Sequence, residues 1–317
     1  MRIKMMFASL ATLALLMTGC SSTGGASDSP APDASAGAGG AGEAGSVAVE
    51  VSKLTDAITV NEDARNLLPA EIQESGILKV GGETSLPPYL FLSEGTLTGI
   101  EANLMSALGK TLGLEVEVTN TKFAAMVTGL VSKRFDVAMS DFSDTLERQK
   151  QVTFVDYTLA GQILVVAKGN PKGIKTLADL CGKSAAGPAG SLSVELAKAQ
   201  STKCVDEGKG PVDVQQYPTG AETQLALQNG RTDAMAIDYA IGTYNVQQVP
   251  DKIELTGDTF ALGYHGAAVR PDDKDLQAAL EAGLNGLIED GVYQEILDQW
   301  ELPQMAMDKV LINATTE

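Results

Sequence analysis

The sequence predicts an α/β chain of two similar lobes hinged by two crossing strands, and three observations carry that prediction. Short apolar runs of strand type alternate with segments of helical periodicity, the signature of parallel strands with crossover helices. A local pattern returns after 97 residues: Leu130-x3-Arg134-x-Asp136 is matched by Leu227-x3-Arg231-x-Asp233, followed by Val137-Ala138-Met139 in one copy and Ala234-Met235-Ala236 in the other. Two further apolar runs, Gln162 to Ala167 and Tyr264 to Val269, fall where the chain passes from the first repeat to the second and back. A three-residue coincidence could produce the repeat alone, so it counts only beside the other two observations.

At the start of the chain, Arg2 and Lys4 precede the apolar run Met5 to Met17. The run is too short for a membrane-spanning helix and reads as a signal peptide over 1–19. It ends in Met17-Thr18-Gly19-Cys20, which resembles a bacterial lipobox with Met17 where Leu is usual, so Cys20 is the expected lipidation site. Cleavage elsewhere, with Cys20 incidental, is the alternative. Residues 20–50 are dominated by Gly, Ala, Ser, Pro and Asp, too little apolar surface to offset the entropy of ordering them, and are expected to form a flexible tether. Roughly 270 residues remain, enough for two modest lobes.

Ile77 to Gly81 is a strand of buried type, followed by a turn-rich loop through Pro87 and Pro88. Leu104, Leu108 and Leu112 recur at four-residue spacing with Gly113 as a C-cap, which makes a helix. Glu115 to Val118 alternates as a strand, Ala124 to Lys133 is helical, and Phe135 to Met139 is again a strand. Near the C-terminus Leu276, Leu280, Leu284, Leu287 and Ile288 share one helix face, and Tyr293 to Trp300 follows as a second helix. Lobe 1 is therefore expected over 51–163 and 264–317, and lobe 2 over 164–263.

The formal charge is −18, from 23 basic and 41 acidic residues. No clustered Lys or Arg is available for nucleic acid or anionic headgroups, so neither is an expected partner. Apart from Cys20, the cysteines are Cys181 and Cys204. In an extracytoplasmic chain this pair is expected to form a disulfide closing a loop of about two dozen residues, worth about 3 kcal/mol in the chain-entropy model; two buried thiols are the alternative. Two cysteines and the single His265 do not supply the four ligands of a structural zinc. There is no Walker loop, dinucleotide fingerprint or triad near His265, so no metal, cofactor or catalytic residue is expected.

In open α/β sheets, ligands bind beyond the carboxyl ends of the strands. After the strand at 135–139 come Ser140-Asp141-Phe142-Ser143-Asp144-Thr145-Leu146-Glu147-Arg148. The Arg148 guanidinium can grip a carboxylate through two parallel hydrogen bonds, with Ser143 adding a hydroxyl; equally, Arg148 could pair with Glu147 or Asp144. Asp238 ends the equivalent strand of lobe 2 and could accept an ammonium group. Together the two would hold both ends of an α-amino acid across a cleft. Gly187-Pro188-Ala189-Gly190-Ser191 precedes a helix, so Ser191 either helps bind an anion or serves as an ordinary N-cap.

These residues resemble the extracellular solute-binding proteins of family 3, from about Gly76 to Trp300. The matching features are Leu78-x-Val80-Gly81 with Pro88-Tyr89, Phe123-x6-Leu130, Asp136 through Thr145-x-Glu147-Arg148, Phe154-x2-Tyr157, Asp179-Leu180-x-Gly182-Lys183 with Gly190-Ser191, and Gly230-Arg231-x-Asp233-Ala234-x3-Asp238. The resemblance implies a two-lobed periplasmic-binding-protein-like (type II) fold. It also implies a monomeric lipoprotein that captures an amino-acid-like ligand and delivers it to an ABC transporter permease at the outer face of the cell membrane.

By position, the resemblance places Arg148, Ser143 and Ser191 at the ligand carboxylate, Asp238 at its amine and Phe123 on its side chain, with Glu83 nearby. Leu86 stands where an aromatic residue is common, Leu192 where a hydroxyl is frequent, and Asp141 and Asp144 where small or apolar residues are usual. Glu101 replaces an Asp, a change read as structural. The extra carboxylates Glu83, Asp141 and Asp144 point toward a cationic or amide-bearing ligand. Dehydratases share this kind of fold, and Glu83 is the one general acid such a reaction could use here; a ligand-sensing lipoprotein is the other rival.

Overall fold

A computed structural model describes residues 46–48 and 57–316. The expected signal peptide, the lipidation site Cys20 and nearly all of the expected tether lie outside the described residues. Within the tether range, Ser46–Ala48 forms a strand, β1. Short helices α1 (Glu62–Arg65) and α2 (Ala70–Ser75) lead to β2 (Ile77–Gly82). A small separate sheet follows, of β3 (Ser85–Leu86), β4 (Leu90–Ser93) and β5 (Thr96–Thr98), then α3 (Ile100–Leu112) and β6 (Glu115–Asn120). α4 (Met126–Val131), β7 (Val137–Ala138) and α5 (Leu146–Gln149) complete the first pass.

The long β8 (Thr153–Ala167) carries the chain into lobe 2. There β9 (Ser184–Pro188), α6 (Leu192–Asp206), β10 (Asp213–Tyr217), α7 (Gly220–Gln228), β11 (Ala234–Asp238) and α8 (Tyr239–Gln248) alternate. β12 (Ile253–Val269) returns, followed by α9 (Lys274–Glu289), α10 (Val292–Gln299) and the short β13 (Leu311–Ile312).

One sheet runs through both lobes in the order β1-β6-β2-β7-β12-β8-β11-β9-β10, with β13 also on β8. β2 is parallel to β6 and β7, and β9 is parallel to β10 and β11. β8 and β12 pair antiparallel from Ile253↔Ala167 at one end to Val269↔Thr153 at the other, so each strand serves both lobes. Their register shifts between Thr256 and Phe260, between Phe260 and Gly263, and between His265 and Gly266. Such bulges bend and twist a strand where it crosses.

Both crossing strands are longer than their apolar runs suggested. The first half of β8 carries Thr153, Asp156 and Thr158, all buried, which interrupts its hydrophobic pattern. The strand expected over Phe135 to Met139 shortens to Val137–Ala138, and Phe135 just before it is fully buried as a packing anchor. A Cβ on Gly81 would lie 2.4 Å from its ring. The helix expected from Ala124 begins as a 3-10 turn over Phe123–Ala125 and ends at Val131.

α3 packs with α9, bringing buried Leu104, Leu108 and Leu112 together with buried Leu276, Leu280, Leu284 and Leu287; Ile288 is half-buried. Gly113 caps α3 in the left-handed region. One face of lobe 2 has its own small core, including Leu164, Val166, Leu180, Ala197 and Ala236. Cys181 and Cys204 are joined by a disulfide beside it, with a Cα separation of 5.5 Å. Among the described residues, no helix is long and apolar enough to cross a membrane.

Candidate functional site

A cavity lies between the lobes, and it gathers Leu86, Phe123, Asp141, Ser143, Ser191 and Asp238, six of the eight residues singled out from the sequence. Gln162, Leu192, Ser193 and Ile237 also line it. The space open to a water-sized sphere is about 10 Å³, room for about one water. The lobes are closed on one another, and this space is too small for an amino-acid-sized solute. Hydrogen bonds cross the cleft from Arg148 Nη2 to Gly190 O at 2.9 Å, from Tyr89 Oη to Asp238 Oδ1 at 3.0 Å, and from Gly220 N to Glu83 Oε1 at 3.0 Å. Gly190, at φ +81°, lies so near the other lobe that a Cβ would come within 2.9 Å of Ala124 Cα.

Arg148 sits in the short helix α5, whose N-cap Thr145 accepts from the Arg148 N–H. Its guanidinium carbon lies 4.5 Å from the Phe142 ring centroid and 5.2 Å from that of Phe123, a cation–π arrangement that orients the fork. Nη1 donates to Ser143 O at 2.6 Å. The ion pairs left open by the sequence are not made. Glu147 pairs with Lys150, and Asp144 accepts from Gln149 Nε2 and Thr315 N. Burial lowers the Arg148 pKa to about 10, which leaves the group cationic at neutral pH. It is thus a buried cation held by carbonyls and aromatic faces; the carboxylates of Glu195, Asp141 and Asp144 favour its charge, though none among the described residues forms an ion pair with it.

The other charged groups are acidic, Asp238 on lobe 2 and Asp141 and Glu101 on lobe 1. Asp238 caps α8, its Oδ1 accepting from Ala240 N at 2.8 Å as well as from Tyr89. Burial lifts its pKa to about 6 against these hydrogen bonds. Asp141 stands at φ +49°, and its N–H donates to Glu101 Oε1 at 2.8 Å. Its Oδ1 is buried without a hydrogen-bond partner. Burial first, then the neighbouring Asp238 and Glu101, hold Asp141 well above the usual carboxylate range. Glu101 also accepts from Tyr157 Oη, and burial raises it to about 7.

His265 was not among the residues singled out. It is fully buried, and its Nε2 lies 3.1 Å from Asp141 Oδ1 and 3.7 Å from Asp238 Oδ2. Neither ring nitrogen makes a hydrogen bond. Burial and then Arg148 depress its pKa to about 3, so the ring is neutral. Its neighbourhood depends on the register of β12: an isolated bridge pairs His265 with Ser143, and Gly266 N donates to Phe142 O. No local motif announces that pairing.

Ser191 takes the N-cap role, accepting from Val194 N at 3.4 Å, while also lining the cavity. Glu83 lies behind the cavity wall. Its Oε1 accepts from Ser85 Oγ and Gly220 N, and its Oε2 from Phe123 N. It joins the lobes and positions Phe123.

A two-lobed α/β fold with a charged cleft at the carboxyl ends of both lobes' strands defines a solute-binding protein of the periplasmic type. The chain belongs to the bacterial extracellular solute-binding proteins, family 3, whose family model matches residues 78–303. It is similar to the L-cystine-binding protein TcyJ of Escherichia coli K12, 31% identical over 78% of this chain and 91% of that protein. It is also 28% identical to the arginine-binding protein ArgT of Corynebacterium glutamicum, over 78% of this chain and 81% of that one. Among solved structures, an ancestral arginine-binding protein bound to arginine aligns with TM-score 0.66 and 35% identity, covering 71% of this chain and 98% of that chain.

Proposed function

We propose that this protein captures a polar α-amino acid, or a related solute bearing both an amine and a carboxylate, and hands it to an ABC importer. The observation that carries this reading is the combination of Arg148, a buried guanidinium on lobe 1 that donates across the lobes to Gly190 O, with Asp238, which lines the cavity from lobe 2. A ligand carboxylate pairs with the guanidinium fork through parallel hydrogen bonds. A ligand ammonium meets Asp238. Because one group stands on each lobe, the solute draws the lobes together, and the closed form is the one a permease recognises. Relatives named for arginine and cystine binding support an amino-acid cargo.

In this reading the protein acts as a monomer on the extracytoplasmic face of the membrane, held by lipid on Cys20, and catalyses nothing. The dehydratase alternative required Glu83 as general acid. Both Glu83 oxygens already accept backbone hydrogen bonds, Oε1 from Gly220 of lobe 2 and Oε2 from Phe123 of lobe 1, which disfavours that role.

The test is isothermal calorimetry and thermal shift with L-arginine, L-cystine, L-glutamine and the remaining common amino acids. A ligand at 100 times its Kd stabilises by about 2.7 kcal/mol. Arg148→Ala is expected to weaken the binding found by about 100-fold or more, since it removes one partner of a buried charge pair. Full affinity in that variant would overturn the assignment.

A further inference from the structure

Beside the cleft, Asp141 Oδ1 and both ring nitrogens of His265 are buried without a hydrogen-bond partner, and His265 Nε2 lies 3.1 Å from Asp141 Oδ1. Asp238 Oδ2 completes a triangle with them, all three atoms lying within 4.8 Å of one another. We propose that His265 is a specificity-determining residue which, with Asp141 and Asp238, forms a three-point cradle for a primary ammonium group. The cleft then selects α-amino acids with a free –NH3+ over N-alkylated and 2-hydroxy analogues. The inference rests on the proposed function, in which Arg148 holds the ligand carboxylate.

The chemistry of the three groups fits that ligand. A primary ammonium has three N–H donors and no acceptor, so it is saturated by three acceptors around one point. A neutral imidazole offers one accepting nitrogen, and the depressed His265 pKa of about 3 keeps the ring neutral. Two carboxylates this close disfavour each other's ionisation unless a cation lies between them. The fold itself brings the three together. Asp141 and Asp238 are separated by the same 97 residues as the internal repeat, so each occupies the equivalent place in its copy of the sequence. The backbone bonds Asp144 N to Tyr264 O and Gly266 N to Phe142 O hold His265 on β12 opposite the Asp141 loop.

N-alkylation leaves fewer N–H donors on the ligand, and a 2-hydroxy acid carries no charge there. Among the nearby hydroxyls, Ser193 Oγ donates to Gln162 Oε1 at 2.6 Å and Tyr89 Oη to Asp238 Oδ1.

The experiment is calorimetry on the purified chain with L-arginine, L-cystine and L-glutamine, then with the Nα-methyl and 2-hydroxy counterparts of whichever binds tightest. Wild type is expected to prefer the parent over its Nα-methyl form by about tenfold or more, the loss of one hydrogen bond from a charged donor. His265→Phe keeps the ring but removes the acceptor, and should collapse that preference to within about threefold. His265→Gln restores an acceptor and should recover it. If His265→Phe does not fold, the wild-type preference and the His265→Gln result decide.

Amino acids that bind wild type without regard to Nα-methylation would overturn the cradle while leaving the transport reading intact. Failure of every α-amino acid to bind would overturn both. A Zn2+ or Mn2+ titration separates the remaining case: an ion that raises the melting temperature alone and competes with the amino acid assigns the three atoms to a metal and overturns the proposal.

Discussion

The two copies of the internal repeat begin alike and end differently. In lobe 1 the Arg134 N–H closes a turn on Gly129 O at 2.9 Å; in lobe 2 Arg231 N closes the same turn on Ala226 O, also at 2.9 Å. Asp136 Oδ2 accepts from Lys79 N at 3.2 Å at the start of β2, as Asp233 Oδ2 accepts from Ser184 N at 3.0 Å at the start of β9. Each aspartate thus ties its own strand to the parallel neighbour. Five residues later the copies diverge. Asp238 leads directly into α8 as its cap, whereas Asp141 enters a left-handed turn and the chain runs on to Thr145 before α5 begins. One carboxylate is tied through Oδ1 to its own helix and to Tyr89, and the other has its Oδ1 left without a hydrogen bond. The repeat therefore fixes the framework, and the divergent residues beyond it decide the site.

The lobes also differ in how they are held together. Lobe 1 packs α3 and α9 into a large core, while the outer face of lobe 2 relies on a small cluster that includes Ala185, Ala197, Ala234 and Ala236. The disulfide between Cys181 and Cys204, 23 residues apart, staples that smaller core. Replacing both cysteines by Ser is expected to cost about 3 kcal/mol in the chain-entropy account, read as a fall in melting temperature of roughly 5–10 °C. Ligand affinity should change by less than about twofold, because neither cysteine lines the cleft. A stability unchanged by the double substitution would show that the cluster holds lobe 2 without its staple.

The next largest effect sharpens the contrast between the two aspartates. Asp238→Asn preserves a good N-cap but removes the charge that answers the ligand ammonium, and is expected to weaken binding by about 100-fold. Asp141→Asn should weaken it by about tenfold. It should also raise the melting temperature of the ligand-free protein, since it removes one of several buried carboxyls that raise each other's pKa. Calorimetry and thermal melts on the two variants distinguish them. Equal losses of affinity and stability would mean that the divergence after the repeat has no functional consequence.

Much of this contrast was legible in the sequence, and the missing part has a physical cause. Arg148, Asp238, Ser143, Ser191 and Phe123 were readable because each follows a strand or opens a helix, where spacing along the chain fixes position. Asp141 was readable only as an unusual residue, since its open carboxylate depends on a turn at φ +49°. His265 was visible only as a lone histidine in a hinge strand. Its meeting with Asp141 is set by antiparallel pairing between segments more than a hundred residues apart, which no local periodicity encodes. The small sheet of β3, β4 and β5 was missed for a related reason, its strands being too short to show alternation.

The smallest effect concerns pH. Asp238 and Glu101 have pKa values raised to about 6 and about 7, in each case first by burial. A carboxyl raised in the folded state binds protons that the unfolded chain has released, so stability falls as pH rises from the ordinary carboxylate range through those values, and levels off above them. Ligand binding has the opposite slope, because an ammonium requires Asp238 to be ionised. Affinity is therefore expected to be about tenfold weaker at pH 5 than at pH 7.5, at most one decade per unit below the Asp238 pKa. His265, depressed to about 3, does not titrate in this interval, and Tyr89, held well above its usual value, stays protonated throughout. Arg148 remains charged. Calorimetry across that range checks the slope: in Asp238→Asn the dependence should flatten, while in Asp141→Asn it should persist. If instead Asp141→Asn abolished the slope, the open carboxylate of lobe 1, rather than the capped one of lobe 2, would be the group whose ionisation admits the ligand.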